Sequence, residues 1–371
     1  MINFGHFLGS AVAVIISFYL PFFLKEQGLS ILEIGAIFAI GMAFGAFLFS
    51  VVFSRVLRKI KLKAGLIFSG LFMFLQGAIL YVLPTSFGAT IAKFSNTVEK
   101  TSYAVVHDAS MQHNVPKGKH RKVGSLALIY GSGGLLFGII LGYLLITWIG
   151  FGLTFLVFTL LSLPLFYLYS RIKDDTRPNV KIKKKLGKIP GTLKLVLFAE
   201  IIYWFSMSAS FALVITFLVT DHFGSSIFWL SAMFVGLYLS IVLTTLIIGN
   251  RFDKIPLMKS AIVGMILLLL SAVIIIFSTN VYVVLVGMIL EGIGAAIWVP
   301  SKIAAYWKRT KADMREKVAG YLGGWRGITS TVGSLFGGIL VSYLGIMAPF
   351  VFRAIVIAGI IGIYVYVMRK S

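Results

Sequence analysis

The chain has 371 residues, of which 59% are hydrophobic and only 12% charged, about half the roughly 25% charged share of a soluble domain. A water-soluble globular fold is excluded. The absence of cysteine also excludes disulfides, thiol catalysis and thiolate metal sites. The net charge of +22 would by itself admit a nucleic-acid partner, so the placement of the basic residues has to decide that question.

Long uncharged runs alternate with short turns, and runs of about 18 or more apolar residues read as membrane-spanning helices. The first predicted helix covers 4–24. No Lys or Arg precedes it, so no cleavable signal peptide is expected and the helix should remain. The second covers 31–54 and opens on Ser30 and Glu33, spaced as a capping box. The third, 64–83, stops at Pro84-Thr85-Ser86. The fourth, 86–106, carries Lys93, Asn96, Glu99 and Lys100, with His107 beyond. The fifth and sixth, 123–146 and 151–170, divide at Trp148-Ile149-Gly150.

A basic connector follows, with Asp174, Asp175, Pro178, Pro190 and the run from Lys181 to Lys188. The seventh helix, 195–220, holds Glu200, Tyr203, Trp204 and Met207. The eighth is 226–249 and the ninth 258–277, ending at Ser278-Thr279-Asn280. The tenth, 281–303, carries Glu291, Trp298 and Lys302; the eleventh, 318–343, carries Trp325 and Arg326. The twelfth, 348–368, begins after Leu344-Gly345-Ile346 and carries Arg353. The predicted fold is an all-α membrane protein of twelve spans in two six-helix bundles. Its predicted divisions are 1–170, a linker at 171–193, and 194–371. A β-barrel is excluded, because barrel strands alternate polar and apolar residues in segments of about ten.

With twelve spans, 28 of the 34 Lys and Arg fall in loops on the side of the two termini, against Lys25 alone on the other. By the positive-inside rule the termini face the cytoplasm, and the expected location is the plasma membrane. The basic loops thus need no nucleic acid; anionic lipid headgroups are their natural partner.

The two halves also echo each other. Residues 135–144 match 335–344 at an offset of 200, and Ser54-Arg55 matches Asn250-Arg251. Same-orientation halves of six helices are related by an axis along the membrane normal. Leu20-Pro21-Phe22-Phe23-Leu24 with Gly28-Leu29-Ser30 and Glu33-Ile34-Gly35 come first in a series of short motifs. Val115-Pro116 with Arg121, and Gly292-Ile293-Gly294 with Pro300, complete it. In that order the set resembles the major facilitator superfamily over essentially the whole chain. The likeness has departures. Ser50, Ser54, Arg55, Leu57 and Arg58 stand where the family's loop after the second helix has a Gly-x-x-x-Asp-Arg-x-Gly-Arg pattern, so the acidic residue is missing. The second copy, with Asn250, Arg251 and Asp253, is closer; Lys93 stands where many members have Arg. The resemblance implies a transporter whose halves rock against each other, with Arg55, Arg251, Asp253 and Glu99 as candidate gate residues.

Ionisable groups inside the bilayer are the sharpest signal, since one at a helix centre costs about 2.5 to 3.5 kcal/mol even on mild scales. Lys93, Asn96, Lys100, Tyr203, Trp204, Trp298 and Arg326 are the candidate substrate contacts, with Lys93 and Glu291 expected at similar depth on opposite walls of a central cavity. Glu291 and Glu200 are the candidate coupling-ion residues, because a carboxylate in a low-dielectric cavity can hold a proton near neutral pH. Arg353 is read as structural. Small residues four apart, Gly134, Gly138 and Gly142, then Ser330, Ser334, Gly338 and Ser342, with Gly41 and Gly45, admit two readings: tight static packing or smooth faces for rocking.

The leading functional reading is a monomeric secondary transporter of a small anionic or polar organic solute, coupled to protons, with no cofactor or metal. His107, Asp108, His113 and His120 fit no metal-ligand spacing. Two alternatives stand. A multidrug exporter is favoured by 14% aromatic residues and 12 Met, although Gly131 to Gly142 contain no Pro. A lipid-modifying enzyme would have to rest on His107 and Asp108. No Gly-x-x-x-x-Gly-Lys-[Ser/Thr] phosphate loop occurs, which argues against ATP-driven pumping.

Overall fold

A computed structural model describes residues 2–48, 62–114, 120–172, 191–248, 255–310 and 315–370. Arg55, Arg251, Asp253 and most of the basic connector lie outside the described residues. Every regular element among the described residues is helical. The first rod is α1 (Ile2–Val14), a π-turn (Ile15–Tyr19) and α2 (Leu20–Glu26). Next come α3 (Ile31–Leu48), α4 (Leu62–Val82), α5 (Ser86–Asn114) and α6 (His120–Ser170). The second half contains α7 (Gly191–Ser210), α8 (Ala212–Phe217) with a π-turn (Leu218–His222), and α9 (Ile227–Ile248). It closes with α10 (Leu257–Ile276), α11 (Val281–Arg309), α12 (Arg315–Leu344) and α13 (Ala348–Arg369).

Ten stretches among the described residues are long and apolar enough to cross a membrane. The count differs from the sequence reading for two physical reasons. In the segment 120–170 the chain kinks at Gly150, whose φ of 75° lies in the left-handed region that glycine tolerates and whose ψ of 175° is not helical, so the two predicted spans follow each other through the kink in one long apolar stretch. The helix α5 carries Lys93, Glu99 and Lys100, which lower its apolar content.

Local signals explain the ends. The Ser30 backbone N–H and hydroxyl both donate to Glu33 Oε2, at 2.8 and 2.7 Å, and Glu33 N–H returns a bond to Ser30 Oγ, closing the capping box at α3. Asn280 Oδ1 accepts from the amides of Tyr282 and Val283 at 3.0 and 3.1 Å, which caps α11.

The packing partners of the first half recur in the second. The rod of α1 lies on α6 as α7 lies on α12, α3 on α5 as α9 on α11, and α4 on α5 as α10 on α11. Between the halves, α3 packs on α12 and α6 on α9. Glycines permit the close crossings. A side chain at Gly134 or Gly138 of α6 would strike the carbonyls of Phe7 and Ala11 on α1, and one at Gly333 or Gly337 of α12 would strike those of Phe205 and Ala209 on α7. These pairs are static contacts inside each half. Gly41 and Gly45 likewise hold α3 against Thr90, Lys93 and Thr97 of α5. The contact between halves uses a different register: Gly35 of α3 lies 3.3 Å (from its ideal Cβ) from the Ser334 carbonyl, and Gly338 lies 3.4 Å from the Ile31 carbonyl. The stripes thus serve contacts within a half and contacts between the halves, with different residues in each.

Candidate functional site

The end of the molecule that holds the turns 27–30, 83–85 and 223–226 is here termed distal. Gln27 Nε2 donates to the Pro84 carbonyl at 2.9 Å, which fixes two of these turns side by side. At this end the halves are closed on each other. Lys25 of α2 forms an ion pair with Asp221 and donates to Thr220 Oγ1 at 2.8 Å. One turn deeper, the Tyr19 hydroxyl donates to the Ile139 carbonyl at 2.7 Å and lies 3.0 Å from Ser231 Oγ. Phe18 packs on Phe234 and Tyr238, at centroid separations of 4.3 and 5.8 Å, and Phe211 packs on Phe234 at 5.8 Å. A seal of tilted and edge-on aromatic rings thus lies under an ion-pair latch, the latch drawn from the two rods with π-turns and the seal from those rods and α9.

Away from the seal, the second half holds a charged cluster around Glu200. This carboxylate is fully buried on α7 and accepts from Lys302 Nζ of α11 at 2.8 and 2.7 Å, and from Arg326 Nη2 of α12 at 2.7 Å. Trp204 Nε1, one turn along α7, donates to the same carboxylate at 2.6 Å. The cations also sit over rings: Lys302 Nζ is 3.7 Å from the Trp298 centroid, and the Arg326 guanidinium carbon is 5.5 Å from that of Trp204. Tyr364 accepts from Trp298 Nε1 at 3.1 Å and fixes that ring. Two cations face this one carboxylate among the contacts described. The accessible member of the cluster is Arg326, whose side chain is 32% exposed.

Glu291 has a separate partner. It pairs with Arg353 of α13, both buried, beside the Tyr203 phenol. The sequence reading grouped Glu291 with Trp298 and Lys302 on the tenth helix and read Arg353 as structural. The structure sends Lys302 to Glu200 and gives Glu291 its own counter-charge, because α13 packs on α10 and α7 and brings Arg353 inward.

In the first half, α5 supplies a different arrangement. Lys93 is 8% exposed, with Nζ 4.1 Å from the Phe38 ring centroid and no carboxylate partner among the described residues. Asn96 donates to Gln76 Oε1 at 2.8 Å. Lys100 is exposed although it lies midway along a helix, and its Nζ donates to Ser17 Oγ in the π-turn at 2.9 Å. Glu99, expected at a gate, is buried within the first half, where Ser69 Oγ donates to its backbone carbonyl at 3.4 Å. Among the described residues no group of three His, Asp or Glu could hold a metal ion.

The sequence model of the Major Facilitator Superfamily matches residues 196–371, which is almost all of the second half. The second half of the chain is therefore similar in sequence to the major facilitator superfamily. Two solved structures share the fold over nearly their full lengths. The human organic anion transporter MFSD10 (TETRAN) superposes with a TM-score of 0.73 at 13% identity, covering 98% of each chain. A bacterial homologue of the iron transporter ferroportin, in an outward-facing state with soaked iron, gives 0.67 at 13% identity, covering 100% of this chain and 98% of the other. A search of curated protein sequences returns no match.

With ten stretches able to cross a membrane among the described residues and this sequence match, the chain is a multi-pass membrane protein similar to the facilitators. The structure brings Glu200, Trp204, Trp298, Lys302 and Arg326 into one cluster, with Tyr203 against Trp298 at 4.2 Å. Lys93, Asn96 and Lys100 stand on α5, which packs against α12 across the halves. Two participants were missed from sequence: Ser17 and Gln76. Gln76 carried a signal, being a carboxamide in the middle of an apolar run. Ser17 carried none, because a serine in a spanning helix is common and its placement depends on the π-turn.

Proposed function

We propose that this chain is a secondary transporter of an organic anion, working by alternating access and coupled to protons, in a conformation closed at the distal face. The observation that carries the reading is the pair Lys100 and Arg326. Both are accessible cations in the interior of the bundle, on α5 and α12, helices that pack against each other from opposite halves. An ion in that position is costly unless it meets water or a counter-ion, and Trp204 beside Arg326 offers a ring face to an organic body. The fold likeness to an organic anion transporter agrees with that charge.

In this reading Lys93, Asn96, Tyr203 and Trp298 complete the substrate cavity. The chain has twelve spans, with α6 and the rod from α7 to the second π-turn supplying the helices flanking the connector, and divides at 171–193. The distal face looks outward, and the terminal face with its basic loops lies on the cytoplasmic side of the plasma membrane against anionic headgroups. Arg55, Arg251 and Asp253 serve the cytoplasmic gate. The chain is not an enzyme. Glu200 and Glu291, each with a cation in contact, hold the second half together.

Counterflow in proteoliposomes tests the reading. Fluorescein, an aromatic carboxylate, and tetraphenylphosphonium, a lipophilic cation, serve as opposite probes. Saturable counterflow of fluorescein that is lost in Arg326→Gln is the expected result. Counterflow of tetraphenylphosphonium without fluorescein would replace the reading with that of a cationic-drug exporter.

A further inference from the structure

Three carboxylates lie in the interior of the described bundle: Glu99, Glu200 and Glu291. Glu200 touches two cations and Glu291 touches one. Among the described residues Glu99 touches none: it is 4% exposed, and its Oε2 is buried without a hydrogen-bond partner.

Each element packed against Glu99 is short of cations at that level. From α4 come the Ser69 hydroxyl and, farther along, the Gln76 carboxamide, which is occupied by Asn96. Tyr169 of α6 lies within electrostatic reach of the carboxyl, wedged against Gly5 of α1 and Gly70 of α4. From α1 comes His6, whose ring stacks on Tyr103 of α5 at 5.3 Å. The facing length of α3 carries Lys93's ring partner Phe38 and no charge beyond Glu33 near its distal end. Arg326 on α12 is held by Glu200. On α5 itself Lys93 leans on Phe38, and the neighbouring Lys100 reaches away to Ser17.

We propose that Glu99 is the proton-carrying residue of the transport cycle, an inference that rests on the chain being a proton-coupled anion transporter. An isolated carboxylate in a low-dielectric interior is so costly that the group takes up a proton instead. The step is one O–H bond made at the Glu99 carboxyl with a proton from water on one side of the membrane, and broken to water on the other. Lys100, the next residue, couples this to substrate. When Glu99 is ionised, its charge compensates the adjacent ammonium and weakens that ammonium's pull on an anion. When Glu99 is neutral, the Lys100 charge is uncompensated and attracts the substrate. Proton and anion therefore load together, which is symport.

Infrared difference spectra of the reconstituted protein across a pH titration read Glu99 directly. The expected result is a protonated-carboxyl band that disappears in Glu99→Gln, is displaced in Glu99→Asp and persists in Glu26→Gln. A band unchanged in Glu99→Gln overturns the assignment, and comparable thermal unfolding midpoints show that the variants are folded. Fluorescein uptake driven by an imposed pH gradient, divided by counterflow in the same vesicles, reads coupling. That ratio should exceed one several-fold in wild type and fall to one in Glu99→Gln; a ratio that stays high overturns the proposal. Absence of counterflow in wild type would remove the transporter reading itself, while the infrared result stands independently.

Discussion

Arg353 of α13 and Glu291 of α11 form an ion pair in which neither side chain is more than 2% exposed. Two charges so buried are worth little as a pair but a great deal to each other. Losing one partner leaves an uncompensated charge, at about 3–5 kcal/mol, whereas replacing both with apolar residues is often neutral. Glu291→Met or Arg353→Leu alone should lower the thermal unfolding midpoint in mild detergent sharply, and the double substitution should recover most of the loss. If both single variants keep the wild-type midpoint, the pair has no structural role.

The distal latch obeys the opposite rule. Asp221 is 48% exposed and Lys25 24%, so the pair contributes at most about 1 kcal/mol to stability, yet it joins the two halves where they must part. Because the chain has no cysteine, Gln27→Cys and Ser225→Cys would accept spin labels cleanly. In that background Lys25→Glu should shift the inter-label distances to longer values without changing the unfolding midpoint, and Asp221→Lys added to it should reverse the shift.

Substrate contact by the accessible cations predicts a KM effect. A hydrogen bond to a charged group is worth about 1.5–3 kcal/mol, so Lys100→Gln and Arg326→Gln should each raise the KM for fluorescein by about tenfold to a hundredfold. Arg326→Lys should restore only part of this, since an ammonium lacks the planar fork. Initial rates across a concentration series separate this from a loss of turnover.

Glycines of the two registers should fail differently. Gly134→Val and Gly337→Val place a side chain into backbone of the same half, so little folded protein should be recovered. Gly35→Val presses only on Ser334 and Leu213 across the halves, so the protein should fold and transport slowly. Monodispersity on size exclusion and counterflow rate together check the distinction.

Legibility from sequence followed the range of the physics involved. The capping box at Ser30 and Glu33, the cap at Asn280 and the turn at Gly150 depend on residues within a few positions of each other, and the structure has all three. The stripe of Ser334 and Gly338 in α12 was legible and lies at the contact between the halves, whereas Gly333 and Gly337, which make the contact within the half, were not read. A one-residue rotation of a helix is invisible until the partner's backbone is in place. The Glu291 partner was also unreadable: Arg353 is 62 residues away on a helix whose rotation is set by packing against α7 and α10.

The amino-acid sequence alone determined that this chain lives in a membrane, along which stretches its helices lie, which loops carry the basic charge, and that one half echoes the other. All of these follow from hydropathy and local hydrogen bonding, which a short window of residues contains. Only the tertiary structure decided which carboxylate meets which cation, that Glu99 meets none among the described residues, and that the distal end is shut. In a low-dielectric interior the state of a charge is governed by what stands within a few ångströms of it, and here those neighbours come from helices far apart in the chain.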